Sequence, residues 1–374
     1  VKALGVYIFA GGFTQGLKKH AKVLAHLEDK PYPGTETSQL NHPEVPIYFR
    51  QDKPTWDELH QFNNKVDLVY ANPPCAIVSP IGRSMMNGAS SWQTDPRLSC
   101  WTRTYQTIEL NPSMLMIESV PGMQSPKKAR PFIDGLAKDA MSRGYSVTYI
   151  MHDGGLLGLP HHRRRFLFVA HKHILRYPKV TRRKVPTVGE VLSRVEDPGW
   201  FRPMTRDQKM VWRKLKLGKV KDGNGGYYPR WEKFKSAWCR IHNEPASGPT
   251  DRHGRPLFMH SRLHHDRPAN AFVGNYLFHP TEPRHLGHNE MKALCGYPLG
   301  YQIAGRPGKA ATLLAQAVLP PVGDWFGRMA MMTLDARARF NRPTAQVLDL
   351  MLRPKTDYKP IVKDAFDDEG ECDE

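Results

Sequence analysis

Cys75 follows directly on Pro73-Pro74 at the end of an apolar run, Val66-Asp67-Leu68-Val69-Tyr70-Ala71. A thiol becomes a covalent nucleophile once ionised, which needs an electropositive or polar setting. Prolines stop a strand and stiffen the turn after it. The run therefore predicts a buried strand that presents Cys75 at the C-terminal edge of a sheet, where open α/β folds bind ligands. On these residues alone, a buried structural thiol fits as well as a nucleophile. A second chemistry-bearing stretch is Phe9-Ala10-Gly11-Gly12-Phe13-Thr14-Gln15-Gly16. A strand, a glycine turn and a helix form a cradle in which the backbone approaches a nucleotide-type ligand closely. Glu28 and Asp29 end the next strand, where a carboxylate can hold ribose hydroxyls. Asp52, beyond the third strand, is the right type and place to meet an adenine amino group.

The elements that must position these groups alternate along residues 1–176. Strands are expected at Leu4 to Phe9, Lys22 to Leu27, Ile47 to Phe49, Val66 to Ala71, Ser113 to Glu118, Tyr145 to Met151 and Phe166 to Ala170. Helices are expected from about Thr14 and over Arg130 to Arg143. This βαβ rhythm predicts an α/β fold with a doubly wound, mostly parallel sheet.

From Tyr177 to about Arg267 the chain is rich in Arg, Lys, Gly, Pro and His, with little periodicity. Between Phe201 and Lys235 lie eleven Lys or Arg, interleaved with aromatics. Basic residues make phosphate contacts, and aromatics either stack on bases or build a small core. Lys209, Arg213, Lys214, Tyr227, Tyr228, Arg230 and Trp231 are the candidate phosphate and base contacts here, and Gly223 to Gly226 reads as a loop tip. Order returns near Pro268. Asn289 to Leu294 reads as helix, and Ala310 to Met331 is a longer apolar-patterned stretch. Thr344 to Leu352 reads as a last helix before an acidic, disordered end.

The whole chain of 374 residues carries a formal charge of +18, which suits a polyanionic partner. Its tail from Lys363 to Glu374 holds one Lys against seven acidic residues, so the body is more basic still. Five scattered cysteines with no CxxC pair argue against a metal site or a disulfide framework and for a reducing compartment. No apolar run is long enough to cross a bilayer, and the first residues do not read as a signal peptide. A cytoplasmic monomer without metal is expected.

Taken together and in order, these motifs resemble the DNA cytosine-5 methyltransferases over nearly the whole chain. The glycine turn is similar to the family's AdoMet loop, and Lys22 to Pro43, with Glu28 and Asn41-His42-Pro43, to its second block. Pro74-Cys75 with Ser79 is similar to its nucleophile motif, and Ile117-Glu118-Ser119-Val120 to its Glu-Asn-Val motif. Gly158 to Arg165 is similar to its Gln-x-Arg-x-Arg motif, with Arg163 and Arg165 at the arginine positions. Arg284-His285-Leu286 through Glu290 to Tyr301 resembles the block after the variable region. Gln316-Ala317-Val318 before Pro320-Pro321 resembles the last block.

The resemblance implies a Rossmann-like class I AdoMet-dependent fold with a smaller irregular target-recognition domain. It implies a catalytic domain at 1–176, a recognition domain at 177–283, a return segment at 284–340, and a C-terminal helix and acidic tail at 341–374. Double-stranded DNA is the implied partner, with a short target sequence. S-adenosyl-L-methionine is the implied cofactor, held by Phe9, Ala10, Gly11, Gly12, Phe13, Glu28, Asp29, Asp52, Pro73, Gln316 and Val318. Cys75 would add to C6 of a flipped-out cytosine, and Glu118 would bind N3 and the exocyclic amine. Arg165 would reach the base carbonyl and Arg163 would support the catalytic loop. Ser79 and Arg83 would lie in a mobile loop, Pro80 to Arg97, closing over the base.

The chain departs from the family pattern at several places. Ala76 stands where Gln is usual and Ser119 where Asn is usual. Asn72 fills a position often held by a small residue, His161 replaces a Gln, and Gln316 replaces an Asn. The glycine loop is also atypical. The alternatives are a DNA-binding relative that only flips a base, a relative that acts on RNA or transfers another group, and an amino methyltransferase. The last is suggested by Asn72-Pro73-Pro74, but it needs an aromatic where Cys75 stands.

Overall fold

A strand covered by helices on both faces must be apolar on both faces, and the inner strands of this protein are. In the computed structural model, residues 1–75, 97–124, 129–180, 184–221, 227–243, 261–272, 277–336, 343–350 and 361–364 are described. The chain forms two compact units. The first comprises Val1–Leu157, Arg164–Arg182 and Ala317–Glu374, and the second Gly158–Arg163 and Arg183–Gln316.

The first unit opens with β1 (Lys2–Val6), α1 (Gly12–Leu17), β2 (Lys22–Glu28), α2 (Pro33–Asn41), β3 (Ile47–Phe49) and β4 (Leu68–Ala71). It continues with α3 (Leu98–Gln106), β5 (Met114–Ser119), α4 (Arg130–Ser142), β6 (Ser146–Asp153) and β7 (Arg164–His171). β4 and β5 are buried throughout. Strands β1 to β5 run parallel in the order β3-β2-β1-β4-β5, and β7 lies antiparallel between β5 and β6. The order reverses at β1, so a crevice opens between the ends of β1 and β4, the place where such sheets bind ligands. β1 ends at Val6, short of the expected Phe9, because Tyr7 and Phe9 both take left-handed backbone (φ 54° and 59°). Those conformations break the strand and start the glycine turn.

In the second unit an antiparallel ribbon pairs β8 (Leu217–Lys221) with β9 (Tyr227–Trp231). Its helices are α5 (Val188–Leu192), α6 (Arg206–Arg213), α7 (Phe234–His242), α8 (His288–Cys295) and α9 (Pro307–Gln316). Thr187 and Thr205 cap α5 and α6, each with a reciprocal Glu or Gln three residues on. Met204, Val211, Trp212, Leu215, Phe234, Ala237 and Phe278 form a small core. The stretch 284–316, expected with the catalytic domain, packs in this second unit, so the chain returns to the first at Ala317.

The returning chain forms α10 (Pro320–Ala336), β10 (Ala345–Leu350) and β11 (Ile361–Asp364). Prolines at its first positions start α10, where a missing N–H costs nothing. α10 lies against α1 at backbone distance, since a Cβ on Gly16 would stand 2.0 Å from the Pro320 carbonyl oxygen. The expected last helix over Thr344 to Leu352 is instead the strand β10, parallel to β6 and antiparallel to β11. The unpaired edge of β6 accounts for this, because it offers a row of backbone donors and acceptors that outweighs local helix preference. The loop tip at Gly223 to Gly226 and the acidic residues after Asp364 lie outside the described residues.

Candidate active site

Because β4 and β5 are parallel and in register at Ala71 and Ile117, the residues just past them, Asn72 and Glu118, meet side by side. Asn72 Nδ2 donates to Glu118 Oε2 at 2.6 Å, and it lies 3.4 Å from the Glu118 carbonyl oxygen. On the other flank β7 brings Arg165, whose Nε stands 3.3 Å from Glu118 Oε1. Glu118 is buried, so its carboxylate is held by a charge partner and an amide in a site of low dielectric. Pro73 is buried, Pro74 exposed and Cys75 half-buried, with its thiol free of any disulfide. Thus β4, β5 and β7 deliver Cys75, Glu118 and Arg165 to neighbouring strand ends. Ser79 and Arg83, with nearly all of the expected mobile loop, lie outside the described residues.

At the ends of β1 and β2 the glycine turn is built around Glu28. The Phe9 N–H donates to Glu28 Oε1 at 3.2 Å, and the Tyr32 hydroxyl lies 3.4 Å from Oε2. The Phe9 and Tyr32 rings pack at 5.6 Å. Gly11 caps α1 in the left-handed region (φ 76°), and His42 Nε2 donates to its carbonyl at 3.1 Å. The other His42 nitrogen accepts from Lys18 at 3.2 Å, and burial, then Lys18, lowers this imidazole to about 4, so it stays neutral.

Burial raises the Glu28 carboxyl from 4.5 to about 8, against the pull of the Phe9 and Ile8 amides and the Tyr32 hydroxyl. In the unfolded chain Glu28 ionises near 4.5, whereas the folded protein keeps its proton up to about 8. Its contribution to stability is therefore complete below the unfolded value and is lost as pH rises toward the folded one. Glu28→Gln is expected to gain stability relative to wild type between pH 5 and pH 8, measured as the difference in urea midpoints. A difference that does not change with pH would exclude this.

The other expected cofactor residues lie in several elements of the chain. Ala10 is buried, and Gly12 is the first residue of α1. Phe13 packs inward, 4.9 Å from Tyr70 and 6.0 Å from Phe326. Asp29 is engaged: Arg50 Nε donates to its Oδ1 at 2.9 Å, the Tyr7 hydroxyl to the same oxygen at 2.9 Å, and Arg103 stands 3.5 Å from Oδ2. Asp29 thus ties α3 to the end of β2. Asp52 is exposed in a turn after β3. Val318 is buried in the first unit, while Gln316 is exposed at the end of α9 in the second.

Arg163 sits at the C-terminus of α9. It is buried, and its guanidinium donates to the Ala315 carbonyl at 2.7 Å and approaches that of Gln316 at 3.5 Å. A cation there satisfies terminal carbonyls and complements the helix dipole. Lys209 and Arg213 are exposed on α6, with Lys214 just beyond. Tyr227, Tyr228 and Arg230 lie in β9 opposite Lys221, Val220 and Gly218. Trp231 packs against the second unit's core, and the Arg262 guanidinium lies 3.8 Å from its ring and 3.8 Å from that of Trp212. Trp231 is thus half-buried against that core.

Asn72, Tyr32, His42 and Arg262 were not among the expected site residues. Asn72 carried a legible signal, a polar side chain at the edge of an apolar parallel strand. His42 stood in the Asn41-His42-Pro43 motif without an assigned role, while Tyr32 and Arg262 act across loops that no local pattern reveals. Among the described residues, no group of three or more His, Cys, Asp or Glu could hold a metal ion, and no helix is long and apolar enough to cross a membrane.

A family model described as C-5 cytosine-specific DNA methylase matches residues 6–328. The chain is 25% identical over 245 residues to the type II methyltransferase M.BbvI of Brevibacillus brevis, covering 62% of this chain and 61% of that protein. It is similar in fold to a DNA modification methyltransferase encoded within an E. coli prophage, with TM-score 0.58 and 17% identity, covering 90% of this chain and 99% of the other. A mutant form of Spodoptera frugiperda DNMT2 gives TM-score 0.56 and 14% identity, covering 88% and 99%.

Proposed function

The chain belongs to the C-5 cytosine-specific DNA methylase family, and from that premise we propose that it methylates C5 of a cytosine flipped out of double-stranded DNA through a covalent bond to Cys75. The observation that carries this reading is the Glu118 carboxylate held between Asn72 and Arg165 at the strand edge that Cys75 follows.

Cytosine C5 is a poor nucleophile. In the proposed reaction the Cys75 thiolate adds to C6, and the pair from the C5=C6 bond moves to C5. Glu118 holds N3 and the exocyclic amine, offsetting charge that develops on the ring. Arg165 directs positive charge toward the base carbonyl. AdoMet, when bound, supplies the electrophilic methyl group. Removal of the C5 proton by a base or water then restores the double bond and expels the Cys75 thiolate. The residues fit that cofactor: Glu28, a buried carboxyl at the end of β2, suits ribose hydroxyls, and the turn at Phe9 to Gly12 suits a closely approaching ligand. The target must leave the duplex for these groups to reach it. The second unit, with exposed Lys209, Arg213 and Lys214, is proposed to hold the DNA and read a short target.

The test is to treat random-sequence duplex DNA, and RNA of the same sequence, with the purified protein and AdoMet. Nucleoside mass spectrometry and bisulfite sequencing then identify the product and its context. 5-Methylcytosine in DNA at a short motif is expected. Methylation of RNA alone, or amino-methylated bases, would overturn the reading.

A further inference from the structure

Each oxygen of the Glu118 carboxylate meets a different residue. Asn72 Nδ2 is 2.6 Å from Oε2, and Arg165 Nε is 3.3 Å from Oε1. Asn72 is itself fixed: its backbone N–H donates to the Val6 carbonyl at 3.2 Å, and Pro73 restricts its backbone to extended conformations. Ser119, next to Glu118, is 1% exposed, and its hydroxyl has no hydrogen-bond partner. The amide that the family resemblance places just after the glutamate thus stands here just past the end of the neighbouring strand, and the Ser119 hydroxyl in its place has no hydrogen-bond partner.

We propose that Asn72 is a positioning residue for Glu118, its amide fixing the carboxylate across the β4–β5 edge so that the group meets the target cytosine in one orientation. The inference rests on the reading of Glu118 given above. An N–H donor favours the ionised carboxylate. The same amide, turned over, presents its oxygen to a protonated carboxyl. One side chain can therefore hold Glu118 on both sides of a proton transfer. Arg165 from β7 stands against Glu118, and Cys75 follows Asn72 three residues along the chain.

The test compares the full chain with Asn72→Ser, Asn72→Ser/Ser119→Asn and Glu118→Gln, in single-turnover methylation of duplex DNA across pH. Asn72→Ser is expected to lower the rate on the order of 10- to 100-fold, as a misplaced catalytic group does. It should leave the KM for AdoMet within about twofold. It should also move the Glu118 limb of the pH–rate profile upward, because the ionised form has lost a donor. Recovery of rate in the double variant would support the swapped amide directly. An unchanged rate in Asn72→Ser, or a slower rate with an unmoved pH limb, overturns the inference. Glu118→Gln separates the two levels. If it is slow while Asn72→Ser behaves as wild type, only the inference fails; if it is as fast as wild type, the reading of Glu118 fails and takes the inference with it.

Discussion

Cys75→Ala is expected to lower methyl transfer to cytosine on the order of 10⁴-fold or more while leaving AdoMet affinity nearly unchanged. In the proposed reaction, a C5 carbon without a nucleophile at C6 has no electron pair to offer. Glu118 and Arg165 can stabilise charge on the ring, but they cannot create it. The direct measurement is trapping. With DNA carrying 5-fluorocytosine, C5 holds a fluorine that cannot leave as a proton does. Wild type should then accumulate a protein–DNA adduct stable to denaturing gels, and Cys75→Ala should form none. An adduct of equal yield in Cys75→Ala would remove Cys75 from the mechanism. Cys75→Ala is not expected to unfold the protein, because the side chain is only half-buried at the margin of the core.

Gly16→Ala is expected to cost about 3 kcal/mol or more of stability and, with it, AdoMet binding. A Cβ at Gly16 would lie 2.0 Å from the Pro320 carbonyl oxygen and 2.4 Å from the Asp324 nitrogen. Both are backbone atoms of α10 and cannot swing aside, so the helices must separate. Across the same contact, a Cβ on Gly323 would stand 2.4 Å from the Phe13 carbonyl oxygen. Separation would also disturb Phe13 against Phe326 and the His20–Asp324 pair at 3.0 Å. Since α1 continues directly from the glycine turn, the loop would lose its backing. Gly135→Ala is the control. It lies exposed in α4 with nothing within 4 Å of its Cβ, and it should gain roughly 0.5–1 kcal/mol from better helix propensity. Urea unfolding measures both, and a Gly16→Ala variant as stable as wild type would show that the helices can part without cost.

The inner strands were legible because they are fully apolar and short, and because Pro73-Pro74 marks where β4 must stop. Glu28 and Glu118 were legible for a related reason, as acidic residues ending apolar strands. The turn at Tyr7 to Phe9 was not, since aromatic residues rarely take left-handed backbone and nothing nearby announces it. β10 was misread as helix because its partner, the edge of β6, lies nearly two hundred residues away along the chain. Arg163 and Arg165 belong to one motif in the sequence, and only the resemblance gives them different roles. In the structure the first closes a helix end in one unit, while the second faces Glu118 in the other. Trp231 read equally as a base-stacking or a core residue, and its contact with Arg262 comes from a distant segment that no local pattern reveals.

The first unit is assembled from three separated lengths of chain, the last beginning at Ala317. That arrangement imposes a schedule on the ribosome. The helix that backs the glycine turn is made long after the turn itself. The roughly 300 intervening residues take on the order of 15 to 60 s at the usual pace of synthesis. During that interval α1 exposes the face that α10 will cover, and the nascent chain is open to chaperones and proteases. The contiguous stretch from Arg183 to Gln316 emerges in full before that wait ends.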